Sequence, residues 1–448
     1  MTNLFGTDGI RGAANRHPMT APMALNIGRA VADYFRGQNN CDRIFIGKDT
    51  RLSGDMLEQA LAAGVCAGGL DVLLTGVVPT PTIAYLVRRN ANTAGLVVSA
   101  SHNPWYDNGI KVFGPGGLKL STGVEQAIEE RIAVAGEQTE GEEYTGRVYP
   151  VPASVDTYID FLCSTVPDQN LLKGLSIVID CAHGASSEIA PLVFEKLGAD
   201  LTVLNNTPDG HNINADCGSE HTAGLIQTVR ETRADIGLAF DGDADRLIAV
   251  DAQGAVVTGD QLIALCAAHY QKHARLENNC VVTTVMSNIG LKQALAKLGI
   301  THVEAGVGDR LVMEKMVATG AVVGGENSGH MIFRDHHTTG DGILSALKIL
   351  IAMNQEAAGL SDLASIMEVF PQELMAVAVK NKPDLNSLTE VQQAIRAVGS
   401  KLGDQGRVLV RYSGTQPVCR VMVEGPDQTV TAEYCLEIAS VVKASIGA

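Results

Sequence analysis

The chain has 448 residues, 46% of them hydrophobic and 4% aromatic, and a formal charge of −16. This is the composition of well-buried globular domains, three or four by length. It excludes a disordered polymer and argues against a nucleic-acid or anionic-membrane surface. Nine cysteines without a CxxC pair, an opening without an apolar signal core, and no apolar run near the ~18 residues of a spanning helix predict free thiols in a cytoplasmic protein with no nucleic-acid and no membrane partner.

Strand and helix signals alternate along the chain. The first unit reads as a strand at 43–46, a helix over 55–68, a strand at 70–74, a helix over 82–89 and a strand at 94–98. A polar stretch at 136–146 lies near its end. The second unit has strands at 175–179, 200–204 and 236–240 and a helix over 187–197. The third has a helix from 260, a strand at 280–285, a helix over 290–298 and strands at 302–305 and 321–323. From about 368 the order changes to a strand at 374–379, a helix over 388–400, strands at 407–411 and 420–423, and a last helix from 429. The predicted class is α/β, with domains at 1–152, 153–251 and 252–367 and a C-terminal α+β domain at 368–448. Units of about 100 residues suggest an internally related architecture.

The chemistry lies in the connections. Ser99-Ala-Ser-His-Asn-Pro104 follows an apolar run and presents Ser101 at a sheet rim, where active sites of α/β folds gather. The same residues also favour an ordinary turn. Lys111, in a Gly-rich segment, is a general acid or base only if its pKa is lowered; otherwise it is a surface lysine. Asp241-Gly-Asp-Ala-Asp-Arg246 follows a second apolar strand. Its alternate carboxylates can converge on a hard cation such as Mg²⁺, with a phosphorylated serine as fourth ligand. An EF-hand does not fit, because Arg246 stands where its glycine belongs and Ala252 where its glutamate belongs. A solvated acidic turn is the alternative, opposed by the repulsion of carboxylates that share no cation. Arg246 would be that cationic partner or would face a substrate phosphate.

Gly324-Gly-Glu-Asn-Ser-Gly-His330 mixes carboxylate, amide, hydroxyl and imidazole, as sugar-binding loops do, or is a flexible loop. Arg411-Tyr-Ser-Gly-Thr-Gln-Pro417 with Arg420 forms a phosphate cradle or a turn with a surface arginine. Gly308-Asp-Arg310 touches sugar or caps the helix after it, and Gly6-Thr-Asp-Gly-Ile-Arg-Gly12 sets Arg11 at a phosphate or is a terminal turn. His336-His337 lacks zinc-ligand spacing and reads as surface or loop. There is no Walker A pattern and no nucleophile elbow.

Ser101-His-Asn-Pro104, Asp241-Gly-Asp-Ala-Asp-Arg246 and Gly325-Glu-Asn-Ser-Gly-His330, in that order over nearly the whole chain, resemble the α-D-phosphohexomutase family. The resemblance implies four domains around a central cleft, three related α/β domains with mixed sheets and a smaller α+β domain. It implies that Ser101 is a phosphoserine and, with Asp241, Asp243 and Asp245, a ligand of one Mg²⁺ per chain. It places Arg11, His102, Lys111 and Arg246 at the transfer site and Asp309, Glu326, Ser328 and His330 at the sugar. Arg411, Ser413, Gly414, Thr415 and Arg420 would hold the distal phosphate. The opening 4–12, Val307-Gly-Asp-Arg310 and the sugar loop favour the glucosamine-phosphate branch of the family.

The implied reaction interconverts glucosamine 6-phosphate and glucosamine 1-phosphate, with a hexose 1,6-bisphosphate as intermediate and activator. Its product would feed UDP-N-acetylglucosamine and bacterial cell-wall synthesis. A hexosamine phosphate is the expected partner, and a homodimer the expected form of any assembly. The alternatives are the same chemistry on glucose or mannose phosphates and a metal-dependent sugar phosphatase. Two positions depart from the family pattern: Gln416 replaces a glutamate, and Asn327 replaces a glutamine at the position that bears on sugar preference.

Overall fold

The apolar runs become the central strands of four sheets in the computed structural model, which describes residues 4–38, 40–135, 145–413 and 417–448. Most of the polar stretch 136–146 and the loop residues 414–416 lie outside the described residues. Two compact units result, 1–286 with 300–365 and 287–299 with 366–448.

Three sheets of the first unit share one topology. In the first, Asp71–Val77, Arg43–Lys48 and Thr93–Val98 run parallel, and Asp107–Gly114 pairs antiparallel with Thr93–Val98. The second repeats this with Asp200–Leu204, Ser176–Asp180, Ile236–Phe240 and antiparallel Leu247–Asp251. The third does so with Thr301–Ala305, Cys280–Thr284, Val323–Gly325 and antiparallel Met331–Phe333. Within these four strands the order is second, first, third, fourth each time. The repeat read from spacing is therefore a repeat of topology. The turn from third to fourth strand is, in order, the serine loop, the acidic loop and the sugar loop. All three sit at the carboxyl end of a central strand, where backbone and side chains are free to meet a ligand.

Thr93–Val98 and Ile236–Phe240 are buried at every residue, which explains why they read as continuous apolar runs and not as alternation. The Lys111 segment, expected as a Gly-rich connection, is the strand Asp107–Gly114, buried beyond its first residue. The expected strand at 321–323 lies at Val323–Gly325, where Val323 pairs with Val281. Helix Gly342–Glu356, which periodicity did not reveal, is buried from Gly342 through Met353. A helix apolar all round has no stripe to detect.

The surface reading of His336-His337 is corrected for the second residue. His337 is fully buried, its Nε2 lies 3.0 Å from the Pro81 carbonyl, and its ring packs on Phe161. All nine cysteines are free and eight are buried. No helix among the described residues is long and apolar enough to cross a membrane.

The second unit carries an antiparallel sheet with Val418–Glu424 between Gln372–Ala378 and Arg407–Tyr412. Helices Thr389–Leu402 and Gln428–Ile446 cover it through Val391, Val398, Ile438 and Val442, against Val421 of the sheet. This is the α+β arrangement expected of the C-terminal region.

Candidate active site

Ser101 adopts φ 55°, a left-handed conformation uncommon for a side chain with a Cβ. The turn is held by buried Arg51, whose Nη2 donates to the Ser101 and Asn103 carbonyls, both at 2.8 Å. Its Nη1 donates to the carbonyls of Pro104 and Asp107, and its Nε to Asp49 Oδ2 at 2.8 Å. Asn214 Nδ2 donates to the same Ser101 and Asn103 carbonyls at 2.9 and 3.0 Å. Ser99 Oγ donates to Asp49 Oδ2 at 2.6 Å and accepts from the Ser101 amide at 2.9 Å. Arg51, Asp49 and Asn214 were not anticipated. An acid and a base directly after a buried strand, Lys48-Asp-Thr-Arg51, were the available signal.

The acidic loop comes to this serine from 140 residues away. Ser101 Oγ donates to Asp241 Oδ2 at 2.7 Å. The approach requires Gly242, since a Cβ there would stand 2.6 Å from the Ser101 carbonyl oxygen. Lys111 Nζ lies 2.7 Å from Asp243 Oδ2, 3.0 Å from Asp245 Oδ2 and 3.1 Å from Asp8 Oδ2. Thr80 Oγ1 also donates to Asp243 Oδ2. The Oδ1 atoms of Asp243 and Asp245 are buried without a hydrogen-bond partner among the described residues. One oxygen from each of the three aspartates can be chosen within 4.8 Å of the others. Two orphaned carboxylate oxygens in an all-oxygen donor set fit a hard divalent cation.

The cation that meets these carboxylates is Lys111, and Arg246 stands off. Arg246 Nε lies 3.9 Å from both Asp241 and Asp245, and among the described residues it is buried without a hydrogen bond. Burial, then the charges of Asp245 and Asp243, pushes Asp241 well above the usual carboxylate range. Burial works the same way on Asp245, but Lys111, His330 and Arg246 outweigh it and bring that group to about 2. Neither reading of Lys111 holds: it is buried, not a surface lysine, and its pKa is not lowered as a general acid or base would require. Burial disfavours its charge, yet Asp243, Asp245 and Asp8 hold its pKa well above the ordinary value.

Around this centre, Arg11 Nη2 donates to Asp8 Oδ2 at 2.6 Å, and His102 Nδ1 lies 3.4 Å from Ser101 Oγ. Burial and then the charge of Arg246 lower the His102 pKa. Lys119, also unanticipated, bridges Asp8 and Asp309. Asp309 opens helix Asp309–Thr319 and lies 3.5 Å from His330 Nε2. Both ring nitrogens of buried His330 lack a hydrogen-bond partner among the described residues.

Glu326, raised by burial, accepts from the Gly308 amide at 3.2 Å. Ser328 is half-buried and Asn327 exposed. Gly329 docks the sugar loop on the strand after the acidic loop: the Leu247 amide donates to its carbonyl at 3.0 Å, and a Cβ there would lie 2.1 Å from the Leu247 oxygen.

In the second unit Arg411 and Arg420 face each other across paired strands. Like charges so placed are unfavourable until an anion joins them. Burial and then Arg420 lower the pKa of Arg411. Lys382, a further cation not anticipated, donates to the Ser413 carbonyl at 2.6 Å. Gly414, Thr415 and Gln416 lie outside the described residues.

Three mixed sheets that each deliver one polar loop are the mark of a phosphohexomutase. Models of the phosphoglucomutase/phosphomannomutase family match domain I at 2–139, domain II at 156–254, domain III at 258–370 and the C-terminal domain at 374–441. The chain belongs to this family, the α-D-phosphohexomutases. It is 52% identical over 449 residues, covering 100% of both chains, to the phosphoglucosamine mutase of Syntrophus aciditrophicus. It matches that of Syntrophobacter fumaroxidans at the same identity and coverage. A solved phosphoglucomutase/phosphomannomutase family protein from Burkholderia thailandensis is 26% identical with TM-score 0.83, over 99% of this chain and 97% of that one. The N-acetylphosphoglucosamine mutase of Aspergillus fumigatus, solved with GlcNAc-6P and magnesium, shares the fold at 16% identity and TM-score 0.67, over 99% and 96% of the two chains.

Proposed function

We propose that this chain interconverts glucosamine 6-phosphate and glucosamine 1-phosphate through phosphorylated Ser101 and a bound 1,6-bisphosphate. The observation that carries this reading is the Ser101–Asp241 hydrogen bond of 2.7 Å beside two unpartnered carboxylate oxygens. The full-length likeness to phosphoglucosamine mutases supports the choice of sugar.

In the forward half-reaction the Ser101 Oγ–P bond breaks as a bond from phosphorus to the free sugar hydroxyl oxygen forms, and the hydroxyl proton ends on Ser101 Oγ. The bisphosphate turns round, and its other phosphate returns to Ser101. Asp241, Asp243 and Asp245 would hold Mg²⁺, which when bound neutralises charge on the transferred group. Arg51 and Asn214 keep the serine loop in register with them. Lys111 stays protonated and acts as a fixed charge among the aspartates, not as a base. Arg246, with its free Nε, would meet the phosphoryl oxygens, and Arg11 and His102 flank the transfer. Asp309, Glu326, Ser328 and His330 would bind sugar hydroxyls. Arg411, Ser413, Gly414, Thr415 and Arg420 would bind the distal phosphate. The domain limits proposed for this machinery are 152, 251 and 367. Cytoplasmic residence accords with nine free cysteines.

The test is ³¹P NMR of the purified protein with Mg²⁺, a trace of hexose 1,6-bisphosphate, and one hexose 6-phosphate per tube. Fastest conversion of the glucosamine ester without inorganic phosphate is expected. Preference for glucose or mannose esters would move the specificity, and release of phosphate alone would overturn the mutase.

A further inference from the structure

A second constellation lies outside the phosphoryl-transfer site. His269, in the last turn of helix Gly259–Lys272, and His273, its C-cap, are one helical turn apart with ring centroids at 4.4 Å. Glu356, the last residue of helix Gly342–Glu356, brings Oε1 within 3.2 Å of both His269 Nδ1 and His273 Nε2. The three donor atoms fall within 4.8 Å of one another. We infer that His269, His273 and Glu356 form a binding site for a borderline divalent metal ion of the Zn²⁺ or Co²⁺ type.

Geometry and donor chemistry both point there. Metal bonds of about 2.0–2.1 Å in a tetrahedron set neighbouring donors ~3.3 Å apart, and both imidazole–carboxylate separations are 3.2 Å. Two imidazoles with one carboxylate suit Zn²⁺ or Co²⁺, whereas Mg²⁺ prefers oxygen alone. The donors stand on two rigid helices, and His273 is 39% exposed in its side chain, which leaves a side open for a water as fourth ligand.

Lys272 takes only the other carboxylate oxygen, Oε2, so Oε1 is left to the metal. The Lys272 hydrogen bond also keeps the Glu356 carboxyl ionised, at about 2. Burial, against the pull of Glu356, lowers the His269 pKa and favours the neutral ring that a metal needs. Lys272, held on Glu356 Oε2, and Arg275 are the nearby charges that oppose a cation.

The position gives the site leverage. Helix Gly259–Lys272 starts at Gly259, packed on the backbone of Glu326, Asn327 and Gly329. Helix Gly342–Glu356 starts where the Gly342 amide donates to the Ala244 carbonyl at 2.9 Å. An ion at their C-terminal ends ties together the two helices whose first residues support the sugar and acidic loops.

Chelator-treated full-length protein, held in saturating Mg²⁺, is titrated with Co²⁺ and followed by visible absorption. One equivalent per chain is expected to give the intense absorption of a four-coordinate, imidazole-bearing site, which Zn²⁺ then abolishes. Zn²⁺ is also expected to raise the melting temperature. His273→Gln, at an exposed position, and Glu356→Gln are expected to lose the absorption and the Zn²⁺ shift while mutase turnover with Mg²⁺ is unchanged. Absence of the band in wild type, or a band that persists in both variants, would overturn the site. Because the readout is spectroscopic, it stands apart from the outcome of the mutase assay.

Discussion

At the scale of single residues, Ser101 is distinguished by its surroundings more than by its type. Its conformation costs on the order of 1–3 kcal/mol, and the Arg51 and Asn214 hydrogen bonds to its loop carbonyls offset that cost. What results is an oxygen held 2.7 Å from Asp241. Ser101→Ala removes the proposed phosphate carrier together with its hydrogen bond to Asp241. Turnover is expected to fall by on the order of 10³-fold or more, while calorimetric affinity for the sugar phosphate stays within about twofold, because the binding loops lie elsewhere. A variant that keeps substantial turnover would refute the carrier role.

At the scale of elements, the decisive unit is the turn between third and fourth strand, repeated in three sheets. Each turn must meet another at backbone distance. At Gly242 a Cβ would collide with the Ser101 carbonyl, a backbone atom that cannot swing aside. Gly242→Ala is therefore expected to part the serine and acidic loops and lower kcat by about 10²-fold, the effect of a displacement near 1 Å. Circular dichroism should show the fold intact.

The turn carrying His337 responds to pH. Its Nδ1 accepts from the Thr338 amide at 2.8 Å, so Nε2 carries the proton given to the Pro81 carbonyl. Burial, then Arg88, lowers its pKa to about 3. The unfolded chain takes up a proton near 6.5 and the folded chain only near 3, so stability is full above 6.5 and is lost as pH falls through that window. Between about pH 7.5 and pH 5 the wild type should lose about 2 kcal/mol more than His337→Gln, read from urea midpoints. Asp341, raised by burial to about 6, titrates in the opposite sense but is present in both proteins. Equal pH slopes for the two proteins would contradict a buried neutral His337.

At the scale of the molecule, a chain of net charge −16 gathers cations into small regions. Lys111, Lys119, Arg11 and Arg246 stand among the carboxylates of the first unit, and Arg411 and Arg420 in the second. Among the described residues two carboxylate oxygens of the acidic triad have no hydrogen-bond partner, and under the proposed function Mg²⁺ held there is expected to stabilise the fold. In chelator-treated protein a hundredfold excess of Mg²⁺ over Kd should add ~2.7 kcal/mol to unfolding free energy, measured by denaturant titration, and restore turnover. Asp243→Asn should lose most of both effects. A wild type indifferent to Mg²⁺ would rule the triad out as the metal site.

The sequence by itself determined what depends on neighbours along the chain. Apolar runs ending in polar turns marked the central strands and their loops, and the residue types of those loops are the basis of the proposed phosphate, metal and sugar chemistry. The change of order near 368 announced the α+β end. The common strand order of three sheets needed the tertiary structure, because pairing joins residues that no local pattern relates. So did every charge state at the site. Lys111 meets Asp243 across 132 residues, and that encounter keeps as a buried cation a lysine that reads as a surface residue or a conditional acid-base group. Arg51 reaches the serine loop across 50 residues, and His337 reaches Pro81 across 256. Side-chain identity is local, but burial and electrostatic partners are properties of the folded chain, and they decide what each side chain does.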